Sequence, residues 1–189
     1  MMVNPSTNDS HSSTWLGALM VLLVAVFYAF GLPAINARIP GTVPEPAGVT
    51  IAIGNGFSVV SPAGWMADLV KTKPNETMAL NREASSLVAT SFDWTGSEEE
   101  LFERSRSLLV GLGHFDVRSK PSVMQTAQGL KGHTYTYMND KFDGRIWLFT
   151  IPGSKSAAAV RVRSLHGHGQ TSLRDAKAVV DSLKFQEPK

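Results

Sequence analysis

Residues 15–32 of this 189-residue chain form an uninterrupted apolar run, which limits the folds open to the N-terminal part of the chain. The run reads WLGALMVLLVAVFYAFGL and contains no charged side chain. A helix that rises about 1.5 Å per residue would span roughly 27 Å here, close to the ~30 Å hydrocarbon core of a bilayer. The run therefore predicts one transmembrane helix at 15–32, preceded by a polar N-terminal tail at 1–14.

Two groups of side chains in this run have separate expected roles. The rings of Trp15 and Tyr28 suit the two membrane interfaces, and Pro33 cannot continue the helix. The predicted anchor residues are Trp15, Leu16, Leu22, Leu23, Phe27 and Tyr28. The candidate helix-packing residues are Gly17, Ala18 and Ala25, because small side chains let a neighbouring membrane helix approach closely.

A cleaved signal peptide ending near Ala37 is the competing interpretation. The run is longer than the usual apolar region of about 7–15 residues, and the leader before it lacks Lys and Arg. A retained anchor is therefore favoured over a signal peptide. A buried core helix is disfavoured because a small domain has no need for a helix that is apolar on all sides.

Residues 33–48 predict a semi-rigid linker, because prolines at 33, 40, 44 and 46 favour extended chain. The near downstream flank offers only Arg38 against Glu45, so flanking charge slightly favours a domain on the inside. This bias is one residue, and long domains translocate largely regardless of it, so it does not decide the side. The side is inferred below from a family resemblance.

Residues 49–187 show the pattern of an α+β domain. Asn55-Gly56 predicts a hairpin turn. Ser97 with Glu100, and Ser172 with Asp175, predict capping pairs at the starts of two helices, at 98–112 and 172–183. Strands are predicted at 49–53, 57–61, 66–70, 78–82, 87–94, 115–119, 123–127, 132–138, 145–151 and 157–165. The expected fold is a mostly antiparallel sheet with two flanking helices.

No catalytic, metal or cofactor site is expected in this domain. The chain has no Cys, which excludes disulfides, thiolate nucleophiles and thiolate zinc sites. His166 and His168 could begin a metal site but are better explained by a Gly-rich turn. Trp65, Trp94 and Trp147 are expected in the core.

The arginines of the last strand allow two interpretations. Arg161 and Arg163 alternate on one face, and Arg145 on a neighbouring strand is a candidate third member. Together they would hold a phosphate or a lipid head group. The favoured interpretation is a solvated sheet edge or face.

Two segments of the domain resemble a known family. The opening Gly-Phe-Ser-Val-Val-Ser-Pro-Ala-Gly-Trp at 56–65 and the closing Ala-Val-Val-Asp-Ser-Leu-Lys-Phe at 178–185 are similar to PsbP-like α/β/α sandwiches of the actinobacterial envelope-protein type. The resemblance implies an extracytoplasmic, non-enzymatic domain that docks on a membrane assembly. The lipoprotein branch has a lipidated Cys that this chain lacks, so the predicted transmembrane helix would replace it as the anchor.

The function expected from these observations is that of an accessory or scaffold subunit of a larger membrane complex in the cell membrane. A respiratory supercomplex, envelope-lipid export and secretion machinery are candidate hosts. The expected partners are an integral membrane protein complex and the lipid bilayer. Nucleic acid is not expected because 18 basic and 16 acidic residues are nearly balanced. The alternative is an extracytoplasmic module that binds a lipid or another apolar ligand. An unrecognised hydrolase is a third and weaker hypothesis.

Overall fold

A computed structural model describes residues 11–31 and 41–187. In the first of these segments, helix α1 covers His11–Val26 and continues directly into a π-helical segment, Phe27–Gly31. Within the two described segments, no helix is both long enough and apolar enough to cross a membrane. Residues 1–10, 32–40 and 188–189 lie outside the described part. Much of the predicted polar tail, the last residue of the predicted transmembrane helix and the first half of the predicted linker fall there.

The second segment, 41–187, forms one compact unit. Its helices are α2, Glu98–Gly113, and α3, Gly169–Asp181. Its strands are β1 Thr42–Pro44, β2 Thr50–Gly54, β3 Phe57–Val60, β4 Met66–Asp68, β5 Thr77–Arg82, β6 Ser85–Asp93, β7 Asp116–Val117, β8 Ser122–Gln125, β9 Lys131–Met138, β10 Phe142–Thr150, β11 Ser156–Leu165 and β12 Lys184–Phe185.

The strands form two antiparallel sheets. The large sheet has nine strands in the order β1-β4-β5-β6-β11-β10-β9-β7, and β8 also pairs with β9. The small sheet has the order β12-β3-β2. The prediction of a mostly antiparallel α+β domain with two flanking helices is confirmed.

Local sequence signals explain several of these elements. Asn55 and Gly56 both have positive φ angles, 47° and 79°, as the tight turn between β2 and β3 requires. The predicted cap of α2 is present: the Glu100 amide donates to Ser97 Oγ at 3.1 Å, and the Ser97 amide donates to Glu100 Oε2 at 2.8 Å.

Each face of the large sheet has its own apolar core. The first core lies under α3 and the small sheet, and it includes Trp65, Trp147 and Phe149. The second core lies under α2, and it includes Tyr135 and Leu148. Neighbouring residues of β10 therefore serve opposite cores, as the alternation of side chains along a strand dictates.

The structure differs from the expectations at the linker. Part of the predicted linker 33–48 belongs to the sheet, because Thr42–Pro44 pairs with β4 and Val43 packs against the first core. The proline content of residues 33–48 predicts extended chain but not this pairing, because the partner strand β4 lies more than 20 residues further along the chain.

The predicted cap of α3 is wrong. The helix begins at Gly169, and His168 at its N-cap makes no side-chain hydrogen bond. Ser172 instead binds Ser85 in the interior at 2.7 Å. Asp175 accepts a hydrogen bond from Arg82 Nη1 at 2.6 Å. Both side chains lie on the face of α3 that is turned towards the sheet.

The turn after β9 is shorter than the predicted strand bounds 132–138 and 145–151 imply. Asn139 Oδ1 supports it by accepting hydrogen bonds from the amides of Lys141 and Phe142. Strand β10 consequently starts at Phe142, three residues before the predicted start at 145.

Candidate ligand-binding cleft

A cleft on the α2 face of the large sheet follows from the dimensions of the elements. A helix is about 10 Å across and strands are spaced about 4.8 Å apart, so one helix covers roughly two strands of a wide sheet. Helix α2 packs over β7 and β10. On the opposite face, α3 and the small sheet share the covering. The α2 face therefore retains an uncovered strip over β6 and β11.

This strip and the adjacent side of α2 enclose a cleft of about 660 Å³. Its size lies within the range of roughly 300–1,000 Å³ that is typical of small-molecule sites. Its walls are mainly apolar. The apolar lining residues are Val88, Phe92, Trp94, Leu101, Leu108, Leu109, Phe115, Ile146, Leu148 and Ala159.

Leu108 is 52% exposed, although Leu101, Ser105, Leu108 and Leu112 recur at helical spacing, a pattern that predicts one buried stripe. It differs from Leu109, which is 5% exposed and belongs to the second core. Leu108 lies on the side of α2 that borders the cleft. Trp94 is half-buried there rather than fully in the core, whereas Trp65 and Trp147 are buried as expected.

Three arginines line the same cleft. Arg104 comes from α2, and Arg161 and Arg163 come from β11. The sequence predicted Arg161 and Arg163 on one face, and β11 does present both to the α2 side. Because β11 lies between β6 and β10 in the sheet, these arginines are not on a sheet edge.

Arg145 does not join this group. It pairs in register with Val162, whose side chain belongs to the first core, so Arg145 lies on the opposite face of the sheet. The third arginine of the group is Arg104 rather than Arg145. Its spacing in the sequence indicates this position: Arg104 lies three residues after Leu101 and four before Leu108, which places all three on one side of a helix.

The second core contains two buried tyrosines whose pKa values are influenced by Arg161. Burial raises the pKa of Tyr135, whose hydroxyl donates to Ser105 Oγ at 2.7 Å. Burial also raises the pKa of Tyr137, whose hydroxyl donates to the Val162 carbonyl at 3.1 Å. The positive charge of Arg161 opposes both shifts, because it favours the ionised form of each tyrosine and so lowers its pKa. Both tyrosines remain neutral hydrogen-bond donors at neutral pH.

A second cleft, of about 410 Å³, lies beside the start of α3. Arg118, Arg145 and Asp143 line it. Arg145 Nε is buried and has no hydrogen-bond partner among the described residues. Arg145 and Asp143 bring charges of both signs into this cleft, which is smaller than the α2 cleft.

His166 stabilises a turn at the edge of the second cleft. Its ring nitrogens bind Asp143 Oδ2 at 2.8 Å and the Asn139 carbonyl at 2.9 Å. The hydrogen bond with Asp143 raises the pKa of His166. Residues 11–31 and 41–187 contain no group of three side chains that could hold a metal ion.

The residues predicted to anchor the chain lie in α1 and the π-helical segment. The side chains of Leu22, Leu23, Phe27 and Tyr28 are 51–66% exposed. Gly17, Ala18 and Ala25 are exposed as well. Trp15 and Leu16 belong to α1, and the structure does not describe their side chains.

Comparison with known proteins identifies the fold. No family model and no curated protein matches this chain. Among solved structures, cyanobacterial PsbP (CyanoP) from Synechocystis sp. PCC 6803 matches with a TM-score of 0.52 and 12% identity, over 75% of this chain and 98% of that chain. The fold is PsbP-like. The resemblance that residues 56–65 and 178–185 indicated is thus confirmed at the level of fold.

Two other solved structures show weaker likeness to this PsbP-like chain. The Ran-binding protein Mog1p of Saccharomyces cerevisiae matches with a TM-score of 0.48 and 11% identity, over 74% of this chain and 95% of that one. LpqN of Mycobacterium tuberculosis, which is involved in cell envelope biogenesis, matches with a TM-score of 0.37 and 14% identity, over 77% and 89% of the two chains. The fold assignment rests on CyanoP. The fold alone does not specify a ligand.

Proposed function

We propose that this chain is a membrane-anchored, non-catalytic binding module that holds an apolar ligand in the α2 cleft. The observation that supports this proposal is the cleft itself, which is about 660 Å³ in volume and is walled mainly by aliphatic and aromatic side chains. Burying apolar ligand surface there contributes about 25 cal/mol per Å² removed from water. The sequence already suggested, as an alternative, an extracytoplasmic module that binds a lipid or another apolar ligand.

The side-chain chemistry of the described domain supports a non-catalytic role. His166 has both ring nitrogens engaged, one by a carboxylate and one by a carbonyl, so it is not poised to activate a hydroxyl. Ser164 is buried and shares hydrogen bonds with Ser85 rather than with a base.

Ligand occupancy tests the proposal. Native mass spectrometry of the full-length chain, purified from membranes, should show an adduct of defined mass. Leu108→Trp should fill the cleft and remove the adduct, because Leu108 overhangs it from α2. Val110→Trp is the matched control, since Val110 is 49% exposed on the same helix and does not line the cleft. An adduct that survives Leu108→Trp, or a chain that never has one, would contradict the proposal.

Membrane anchoring is the second part of the proposal. It rests on the uncharged run at 15–32 and on the exposed apolar side chains of Leu22, Leu23 and Phe27, which would be costly to leave in water. We place the domain on the extracytoplasmic side of the cell membrane. The chain should stay in the pellet after alkaline carbonate extraction, and protease added to intact spheroplasts should digest the domain.

The small residues Gly17, Ala18 and Ala25 favour a second candidate function, as an accessory subunit of a larger membrane complex. Each is exposed on α1, and a side chain added at Gly17 would meet nothing within 4 Å. A partner helix could approach such a surface closely. Purification in mild detergent should then co-isolate an integral membrane complex. Gly17→Leu should release the chain from it, whereas Val21→Leu should not.

A further inference from the structure

The α2 cleft contains a concentration of positive charge that an apolar ligand alone does not explain. Arg104 approaches from the helix, while Arg161 and Arg163 approach from the neighbouring β11 strand. The three guanidinium groups therefore border the cleft from two of its walls. A fully apolar ligand would bury part of this charge without compensating it, which is unfavourable.

Within residues 11–31 and 41–187, no acidic side chain forms an ion pair with these arginines. No carboxylate among the described residues lies within 4.0 Å of a nitrogen of Arg104, Arg161 or Arg163. Asp93 is the one acidic residue that lines the cleft, and it accepts a hydrogen bond from Asn55 Nδ2 at 3.2 Å. The cleft therefore has an excess of two positive charges.

Neutral partners hold two of the arginines in place. Arg163 Nε donates to Ser86 Oγ at 3.0 Å, and its guanidinium lies 5.2 Å from the ring centre of Phe142. The guanidinium of Arg104 lies 5.7 Å from the ring centre of Trp94. Hydroxyl and aromatic partners position a guanidinium while leaving its full charge available to a ligand.

We propose that the α2 cleft binds a single-chain anionic amphiphile, in which one long alkyl chain carries a carboxylate or phosphate group. The inference rests on the proposed function, since it names the class of ligand for that same cleft. The alkyl chain lies against Leu108, Phe92 and Leu148, and the acidic group lies between Arg104 and Arg161. Charge-assisted hydrogen bonds from two guanidinium groups select the acid over a neutral head group.

An acidic peptide is less well matched to these surroundings. Its backbone amides and carbonyls would need hydrogen-bond partners, and the cleft walls between the arginines are largely aliphatic or aromatic. An alkyl chain makes no such demand. The shape and the charge of the cleft therefore favour an amphiphile with its polar group at one end.

Photo-crosslinking with matched probes tests this inference. The full-length chain in phosphatidylcholine nanodiscs would be exposed to three C16 probes with the same diazirine: a carboxylic acid, an alkyl phosphate and an alcohol. Labelling would be mapped to peptides by mass spectrometry. The acid or the phosphate, or both, should label the cleft peptides at roughly tenfold lower concentration than the alcohol does. The comparison of acid with phosphate distinguishes the two sources of the anionic group.

Variants show whether the arginines cause the selectivity. The double variant Arg104→Gln with Arg161→Gln should lose the preference for the anionic probes while retaining labelling by the alcohol. The control, Arg106→Gln with Arg174→Gln, removes the same charge outside the cleft and should keep the preference. Circular dichroism would confirm that both double variants are folded.

The outcomes separate the two proposals. Equal labelling by all three probes, or a preference that persists in the Arg104/Arg161 variant, would overturn the anionic class while leaving an apolar-ligand module in place. Labelling of the cleft by none of the probes would overturn both. Displacement of the acid probe by an acidic peptide, without displacement by unlabelled fatty acid or alkyl phosphate, would also overturn the inference in favour of a protein partner.

Discussion

At the scale of single residues, Asp68 shows how one buried carboxylate organises a loop. Its Oδ1 accepts hydrogen bonds from the amides of Val70 and Lys71, each at 3.1 Å. Its Oδ2 accepts from Lys71 Nζ at 2.9 Å and from Asn81 Nδ2 at 3.0 Å. The loop after β4 and the neighbouring strand β5 are thus joined through a single side chain.

These contacts predict a pH dependence of stability. The hydrogen bond from Lys71 lowers the pKa of Asp68 from 3.8 to about 2, although burial acts in the opposite direction. Because the folded pKa is below the unfolded value, the stabilisation is complete above the unfolded pKa and is lost as the pH falls from about 4 towards 2. Urea unfolding across this range should show the loss. Asp68→Asn should flatten the dependence relative to the unchanged chain, whereas Asp116→Asn, at an exposed position, should not.

Gly144 provides a test of close packing in the sheet. A Cβ at this position would overlap the ring of Tyr137, which is buried and fixed by its hydrogen bond to Val162. Gly144→Ala should therefore lower the free energy of unfolding by about 1–3 kcal/mol. Gly111→Ala is the control: it has open space in helix α2 and should be neutral or stabilising by up to about 1 kcal/mol. Denaturant titration measures both, and equal effects would contradict the packing argument.

At the scale of elements, helix α2 determines whether the cleft has its second wall. The helix packs on β7 and β10, and its N-terminus is held by the Ser97–Glu100 capping box. Leu101 and Arg104, in the turns just after the cap, line the cleft. Fraying of the first turns of α2 would therefore open the ligand site directly.

Removal of the cap should weaken both stability and binding. Ser97→Ala should cost about 1 kcal/mol because the Glu100 amide loses its acceptor. Ser107→Ala, at an exposed position in the middle of the same helix, should be neutral or slightly stabilising. Thermal unfolding gives the stability of each variant, and the native adduct gives the binding. Equal stability of the two variants would show that the box does not hold the helix.

At the scale of the whole domain, one sheet supports two cores. Phe149 is fully buried in the first core, and the adjacent Leu148 is 4% exposed in the second. Strands β10 and β11 contribute side chains to both cores, so neither core can be lost without disturbing the strands that support the other.

The domain should therefore unfold in a single transition. Leu148→Ala should cost about 2–5 kcal/mol and Phe149→Ala about 3–5 kcal/mol, from lost transfer free energy and the cavities left behind. For each variant, far-ultraviolet circular dichroism and tryptophan fluorescence should report the same midpoint. Separate midpoints for the two signals would show that the cores unfold independently.

Local signals are enough to locate most of the elements, with the exception of the short strands β1 and β12. Periodicity located ten of the strands and both domain helices, Asn55-Gly56 marked its hairpin, and Ser97 with Glu100 marked the start of α2. Contacts between distant segments decided what local patterns could not: the pairing of Thr42–Pro44 with β4 and the interior role of Ser172. The cleft is also a feature that contacts between distant segments decided. The alternation along β11 placed Arg161 and Arg163 together, but the strand register moved Arg145 to the other face. Only the packing of α2 across part of the sheet brought Arg104 beside them, because the position of a helix on a sheet depends on the combined surface of strands that are distant in sequence.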